Sequence, residues 1–457
     1  MSADKTARDV AFEVLLRVDL SKSYANLLLP PALAQSGLNS RDRALATELV
    51  YGTVRTVGTL DWALRERSNI ALAKLDPKVR TLLRLGAYQL LYTRIPPAAA
   101  CFETVQQTKK VCHRGSVRYV NAVLRRLARE RLQLEFPDPH KEPVRHLALK
   151  HFHPEWLVQR WLERLGFEDT LALCRANNLI PPLCLRANFT LTTREELKAL
   201  FVQKGYTPRV AEIVPEALYL EGAGSVTALP GFEAGLFTVQ DESSMLATYA
   251  LAPQPGERLL DACAGPGGKT THLAEFTRAE SQILAVDIHP HKAALIREQS
   301  ARLGLDCIEV KTADARRLPA DFNQKFDRVL VDAPCSGTGV LRRRPDLRWR
   351  KTPRELIHLP QMQLEILLGA SEALAAGGTL VYSTCSLEPE ENMEVVTAFL
   401  NLRPEFNPLD LRPRLEQLIY DPTLKHGFLQ VYPHRHNMDG FFLAALKRHS
   451  GKEQGRD

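Results

Sequence analysis

Asp261-Ala-Cys-Ala-Gly-Pro-Gly-Gly-Lys-Thr270 closes a short apolar run, residues 258–262, and opens into a helical pattern. Glycines 265, 267 and 268 let the backbone turn sharply and approach a ligand closely. Two nucleotide-binding loops share this look, and both fail on spacing. A phosphate-cradling P-loop needs glycine where Cys263 stands, and a dinucleotide fingerprint needs a third glycine where Thr270 stands. Outward from this turn, apolar strand-length runs at 283–287, 308–311, 328–332 and 379–382 alternate with helical segments. That alternation predicts a parallel sheet with helices on both faces, binding its ligand at the carboxyl ends of the strands. Asp287 ends the second run, where an acid can accept hydrogen bonds from ribose hydroxyls, and Asp314 follows the third, within reach of an adenine amino group. A ribose acid without a phosphate cradle fits an S-adenosyl ligand better than a nucleotide.

Two further strings fall at strand ends. Asp332-Ala-Pro-Cys-Ser-Gly-Thr-Gly339 and Tyr382-Ser-Thr-Cys-Ser-Leu-Glu-Pro-Glu-Glu-Asn392 each carry one cysteine, Cys335 and Cys385. A lone cysteine in such a core is usually a small buried hydrophobe. Two of them at neighbouring strand ends beside a methyl-donor pocket suggest pyrimidine chemistry instead. Carbon 5 of cytosine is too electron-poor to accept a methyl group until a thiolate adds at carbon 6 and makes it enamine-like. The carbon-5 proton must then leave and the thiolate be expelled. Cys385, Cys335 and Asp332 suit the nucleophile, the proton-handling group and the ring-edge contact, with Lys269 lending positive potential. On spacing alone either cysteine could attack.

The chain has 457 residues, 45% apolar and 25% charged, which fits folded domains and excludes a disordered chain. It contains no apolar run of membrane-spanning length, and charged residues interrupt the first 22 positions, so neither a membrane span nor a signal peptide is expected. Eight cysteines form no CxxC pair, which argues against structural zinc or a disulfide framework and for a reducing cytoplasm. Residues 1–130 hold 21 Lys/Arg against 11 Asp/Glu, a net +10 within a chain of net +7. A basic, helical front module with breaks at Pro30–Pro31, Asn39–Ser40, Asp76–Pro77 and Pro96–Pro97 points to an anionic partner, nucleic acid first. Later, Arg342, Arg343, Arg344, Arg348 and Lys351 surround Trp349, a combination suited to a single-stranded nucleic acid groove. Three domains are expected: an all-α module over 1–138, a small α+β linking subdomain over 145–245, and the α/β domain over 246–450.

The strings DACAGPGGKT, DAPCSGTGVLRRRPDLRWRK and YSTCSLEPEEN, with Met438-Asp-Gly-Phe-Phe442, closely resemble the cytosine-5 RNA methyltransferases of the NOL1/NOP2/Sun group. The front, with Arg94-Ile-Pro-Pro97, Glu103-Thr-Val105 and Val120-Asn-Ala-Val-Leu-Arg-Arg126, resembles the NusB RNA-binding fold. Leu185-Arg-Ala-Asn188 and Val239-Gln-Asp-Glu-Ser-Ser244 resemble the linking subdomain of the same family. The resemblance implies a Rossmann-like S-adenosylmethionine-dependent domain that acts on small-subunit (16S) ribosomal RNA. No structural metal and no membrane partner are expected, and a monomer is the simplest state. It implies that Cys385 is the nucleophile and that Cys335 serves proton removal or release. Asp332 holds the cytosine edge and Lys269 supports the site. The donor is expected against Cys263, Ala264, Gly265, Pro266, Gly267, Gly268 and Lys269, with Asp287, Asp314 and Asp332 around it. Gly265 replaces the family's usual alanine, and little effect is expected from it. Two alternatives compete: a transfer RNA substrate for the same chemistry, which comparing the two RNAs decides, and a non-catalytic NusB-like assembly factor, which neither thiol would serve.

Overall fold

The computed structural model describes residues 5–21, 23–318, 325–418 and 420–450. Its contacts divide the chain into two compact units, Met1–Leu179 with Leu341–Lys351, and Ile180–Val340 with Thr352–Asp457.

In the first unit every described regular element is helical. Its larger helices are Ala7–Ser21, Ala25–Ala34, Ser40–Arg65, Pro77–Tyr92, Pro97–Val111, Arg114–Glu130, Pro143–Lys150 and Glu155–Ala176. Starts follow local chemistry: the side chain of Asn39 accepts from the Asp42 amide at 2.9 Å, and that of Asp76 from the Lys78 amide at 2.8 Å, one residue past Pro77. Pro30 and Pro31 break nothing; both lie inside the helix Ala25–Ala34. The pyrrolidine ring already holds φ near the helical value, so a short helix can run through at the cost of two donors. The helix Arg114–Glu130 buries Val120, Val123, Leu124 and Leu127 and leaves Arg118, Arg125, Arg126 and Arg129 exposed, as its spacing predicts. Helices Pro143–Lys150 and Glu155–Ala176 belong by their contacts to this unit. Trp161 and His153 are buried, and Thr59 donates to the Leu149 carbonyl at 2.5 Å.

The arginine-rich segment corrects an expectation. Leu341–Lys351 packs into the helical unit because Leu341, Leu347 and Trp349 carry it there. The Trp349 ring lies against Gly58, where a Cβ would come within 2.5 Å of it, and its Nε1 donates to the Val54 carbonyl at 2.8 Å. Arg348 is 1% exposed and donates to the carbonyls of Phe152 (2.7 Å) and Asn177 (3.1 Å) and to Asn178 Oδ1 (2.9 Å). Burial pulls its pKa down to about 9. Arg342 is buried as well, Arg343 and Lys351 are half-buried, and Arg344 is exposed. Arg348 and Arg342 are therefore interior groups rather than open phosphate ligands.

The second unit holds two sheets. The smaller is antiparallel, ordered β2–β3–β1–β4 from β1 (Leu183–Ala187), β2 (Pro208–Val210), β3 (Ala217–Leu220) and β4 (Phe237–Val239). The helix Arg194–Gln203 packs on it and starts at a capping box between Thr193 and Glu196. The larger sheet contains β5 (Arg258–Asp261), β6 (Gln282–Asp287), β7 (Ile308–Thr312), β8 (Phe326–Asp332) and β9 (Leu374–Thr384), the five expected strands. They run parallel in the order β9–β8–β5–β6–β7. Unforeseen are β10 (Phe406–Pro408), β11 (Leu424–Lys425), β12 (Phe428–Val431) and β13 (Phe441–Arg448), which extend the sheet antiparallel beyond β9. Alternate residues face opposite layers. Leu259, Leu330 and Val381 pack in one core with the helix Glu242–Leu251; Leu260, Val329 and Leu380 pack in the other with the helices Glu355–Glu372 and Met393–Leu402. Among the described residues no helix is long and apolar enough to cross a membrane.

Replacing Arg348 by alanine strands three acceptors, one of them buried and two part-buried. We expect about 3 kcal/mol of lost stability in urea unfolding, at roughly 1 kcal/mol or more per unpaired group; an unchanged midpoint contradicts the interior role.

Candidate active site

The strand order reverses beside β5, since β6 lies on one side of it and β8 on the other, so a crevice opens at the carboxyl ends. Three loops meet there. The first is the glycine turn after β5. Gly267 has φ +111°, a value side-chain-bearing residues rarely adopt, and its amide donates to the Ala264 carbonyl at 2.7 Å. Ala264 in turn donates to Val286 at 2.9 Å, which ties the turn to β6. Asp287, at the end of β6, is 5% exposed; its Oδ2 accepts from the Gly265 amide (3.1 Å) and its Oδ1 from the His289 amide (2.9 Å). A Cβ on Gly265 would lie 2.6 Å from Asp287 Oδ2 and 2.6 Å from the Lys292 Cβ.

Lys269 stands in the first turn of the helix Gly268–Phe276 and reaches back across the crevice. Its Nζ donates to Asp332 Oδ2 at 2.7 Å and lies 4.9 Å from the Phe441 ring centroid. Ser383 donates to the other oxygen of Asp332 at 2.9 Å. Asp332 is the last residue of β8, and its side chain is one-third exposed. Behind it Asp261 is fully buried and accepts from Thr270 Oγ1 at 2.7 Å; burial pushes its carboxyl up to about 7. Asp314 is committed to its neighbour: the Arg316 guanidinium donates to both of its oxygens and holds it below the usual carboxylate range.

The other two loops bring the cysteines together. Cys335, after β8, and Cys385, after β9, stand with sulfurs 3.2 Å apart, and both are partly exposed. The hydrogen bond to Cys385, together with burial, pushes the Cys335 thiol well up, so it keeps its proton. Cys263 is likewise held as a neutral thiol by burial. Among the described residues no group of three His, Cys, Asp or Glu side chains is arranged as metal ligands.

Residues 248–447 match the family of 16S rRNA methyltransferase RsmB/F, residues 5–129 the NusB family, and residues 153–227 the ferredoxin-like domain of the RsmF/B-like methyltransferases. Across 446 residues, 97% of this chain and 99% of the other, it is 40% identical to the "Probable ribosomal RNA small subunit methyltransferase B" of Bacillus subtilis. The chain belongs to the RsmB/F methyltransferase family. The Escherichia coli (strain 536) ribosomal RNA small subunit methyltransferase B is 38% identical over 449 residues, covering 98% of this chain and 99% of that one. The solved structure of PH0851 matches with a TM-score of 0.83 at 27% identity, covering 97% and 98% of the two chains. A methyltransferase homologue from Pyrococcus horikoshii matches with a TM-score of 0.57 at 29% identity, over 67% of this chain and 99% of that one. As an RsmB/F methyltransferase the chain acts on ribosomal RNA with S-adenosylmethionine as cofactor.

The glycine turn suits that cofactor, because it ends against Asp287, a buried acid at the end of β6 that accepts from the Gly265 amide. One residue of this RsmB/F chain escaped the sequence reading. Arg186, on β1, is 0% exposed; it donates to the Gly268 carbonyl (2.7 Å), Thr271 Oγ1 (2.9 Å) and both oxygens of Glu275, and so fixes the helix that carries Lys269. Only its position in Leu185-Arg-Ala-Asn188 hinted at this, since an arginine in an otherwise apolar strand must find partners.

Asp287→Ala is expected to weaken S-adenosylmethionine binding about tenfold, a difference near 1.4 kcal/mol. Calorimetric titration checks it; unaltered affinity contradicts a cofactor seat at this turn.

Proposed function

We propose that this enzyme methylates carbon 5 of a cytosine in 16S rRNA through a transient bond between Cys385 and carbon 6 of the ring. The observation that carries the reading is the pair of thiols 3.2 Å apart beside the Lys269–Asp332 pair. The RsmB/F relatives support the RNA substrate, and the resemblance to the cytosine-5 group supports the ring position. Residues 263–269 would hold S-adenosylmethionine, with Asp287 for its ribose hydroxyls and Asp314 for its adenine, and the cofactor would supply an electrophilic methyl group. Cys385 adds as thiolate to carbon 6, and the electron pair of the 5,6 double bond moves to carbon 5. Asp332, held by Lys269 and Ser383, offers an acceptor to the amino edge of the cytosine and keeps the ring in place. The carbon-5 electron pair takes the methyl group as its bond to the sulfonium sulfur breaks; the carbon-5 proton then passes to solvent water, the double bond re-forms, and Cys385 departs as thiolate. Cys335 serves that departure, since its thiol proton sits within hydrogen-bonding distance of the leaving sulfur. Exposed Arg118, Arg125, Arg129 and Arg344 are the phosphate contacts we assign, with Arg343 and Lys351 at the margin.

Methyl transfer to protein-free 16S rRNA tests the assignment. Cys385→Ala should fall to background, whereas Cys335→Ala should turn over slowly and accumulate a protein–RNA adduct visible as a denaturant-resistant band. Undiminished activity of Cys385→Ala, or no adduct from Cys335→Ala, overturns the respective role.

A further inference from the structure

Both cysteines sit in loops, where no ladder of strand hydrogen bonds fixes a sulfur to within a few tenths of an ångström. Between the loops lies Glu391, 0% exposed. Its Oε1 accepts from the Ser336 amide at 2.7 Å and from Gln363 Nε2 at 3.2 Å, and its Oε2 accepts from the hydroxyls of both Ser336 and Ser386. Ser336 and Ser386 directly follow Cys335 and Cys385. Gln363 also donates to the carbonyl of Pro334, the residue before Cys335, at 2.9 Å. One carboxylate therefore grips both loops, and one of them from two sides of its cysteine.

Neighbouring bonds hold the grip itself. Tyr382 donates to the Glu391 carbonyl at 2.6 Å, and Asn392 donates to the Ser386 carbonyl at 3.0 Å while accepting from Thr384 at 2.6 Å. The loops are also laced directly: Gly339 donates to the Cys385 carbonyl and Leu387 to Thr338 Oγ1, each at 2.9 Å. The four donors on Glu391 are all neutral, and an ionised carboxylate, with acceptor sites only, matches four converging donors. Burying a carboxylate is costly unless its hydrogen bonds are made, and here four donors from three residues make them.

We propose that Glu391 is a positioning residue that sets the spacing of Cys335 and Cys385 through Ser336 and Ser386. It rests on the cysteine chemistry proposed above. Glu391 acts on the loops, and its negative charge beside Cys335 also favours that thiol's protonated form.

The test uses the full-length enzyme and two readouts. The first is the rate at which the oxidant diamide joins Cys335 to Cys385, followed by peptide mass spectrometry without RNA or methyl donor; each thiol loses one hydrogen and the diamide takes up both. The second is kcat for methyl transfer. Glu391→Ala should slow the cross-link at least tenfold and lower kcat about 100-fold, the scale of an ångström-size misplacement, with S-adenosylmethionine affinity unchanged. Glu391→Gln keeps the Oε1 acceptor and lets both serine hydroxyls turn to accept, so it should recover both readouts to within about tenfold of wild type. Ser386→Ala removes one donor and a single oxygen, keeps the fold, and should slow both readouts about threefold to tenfold. Wild-type cross-linking in Glu391→Ala or Ser386→Ala overturns the proposal, as does cross-linking in Glu391→Gln as slow as in the alanine variant. Because cross-linking needs neither RNA nor turnover, a failure of the cysteine chemistry appears separately, as full activity without Cys385.

Discussion

Two parallel strands in register govern this site. β8 and β9 pair so that Asp332 stands opposite Ser383, and from that register both chains leave the sheet on the same edge within a few residues. The cysteines follow three residues after Asp332 and two after Ser383, so side-by-side strand ends place their sulfurs side by side. A one-residue slip would turn Asp332 and Tyr382 to the opposite faces of the sheet. The buried contacts of Val329, Val331, Leu380 and Tyr382 in one core and of Leu330 and Val381 in the other oppose such a slip. The chemistry is thus specified by residues that take no part in it.

The same economy joins the smaller sheet to the site. Arg186 leaves β1 to bind the carbonyl of Gly268 and the far end of the same helix at Glu275, so the orientation of Lys269 depends on a strand in another sheet. Removing one member of such a buried pair leaves the other uncompensated. β13 adds a third support from the carboxyl-terminal side, since its Phe441 lies under the Lys269 ammonium.

The parallel strands were legible because apolar runs buried on both faces, separated by helical periods, have few other meanings. The glycine turn and the two cysteine loops were legible because each combines residue types that packing alone does not demand. β10 to β13 were not, since short antiparallel strands such as Leu424–Lys425 carry too few residues to display an alternation. Arg348 read as a surface charge because its neighbours are arginines; its burial follows from Trp349 and Leu347, which sequence spacing cannot weigh against the surrounding cations. Pro30 and Pro31 read as breakers by the same local logic. Glu391 lay in plain view within a quoted string, yet a carboxylate between two loops acquires its meaning only when the loops have met.

The account stands or falls on which sulfur bonds to the ring. 16S rRNA synthesised with 5-fluorocytidine presents a carbon-5 substituent that cannot leave as a proton, so the covalent stage should persist. Incubated with the enzyme and S-adenosylmethionine, digested and analysed by peptide mass spectrometry, it should yield a nucleotide attached to Cys385. Attachment to Cys335, or no attachment while unmodified rRNA is methylated normally, would contradict the account.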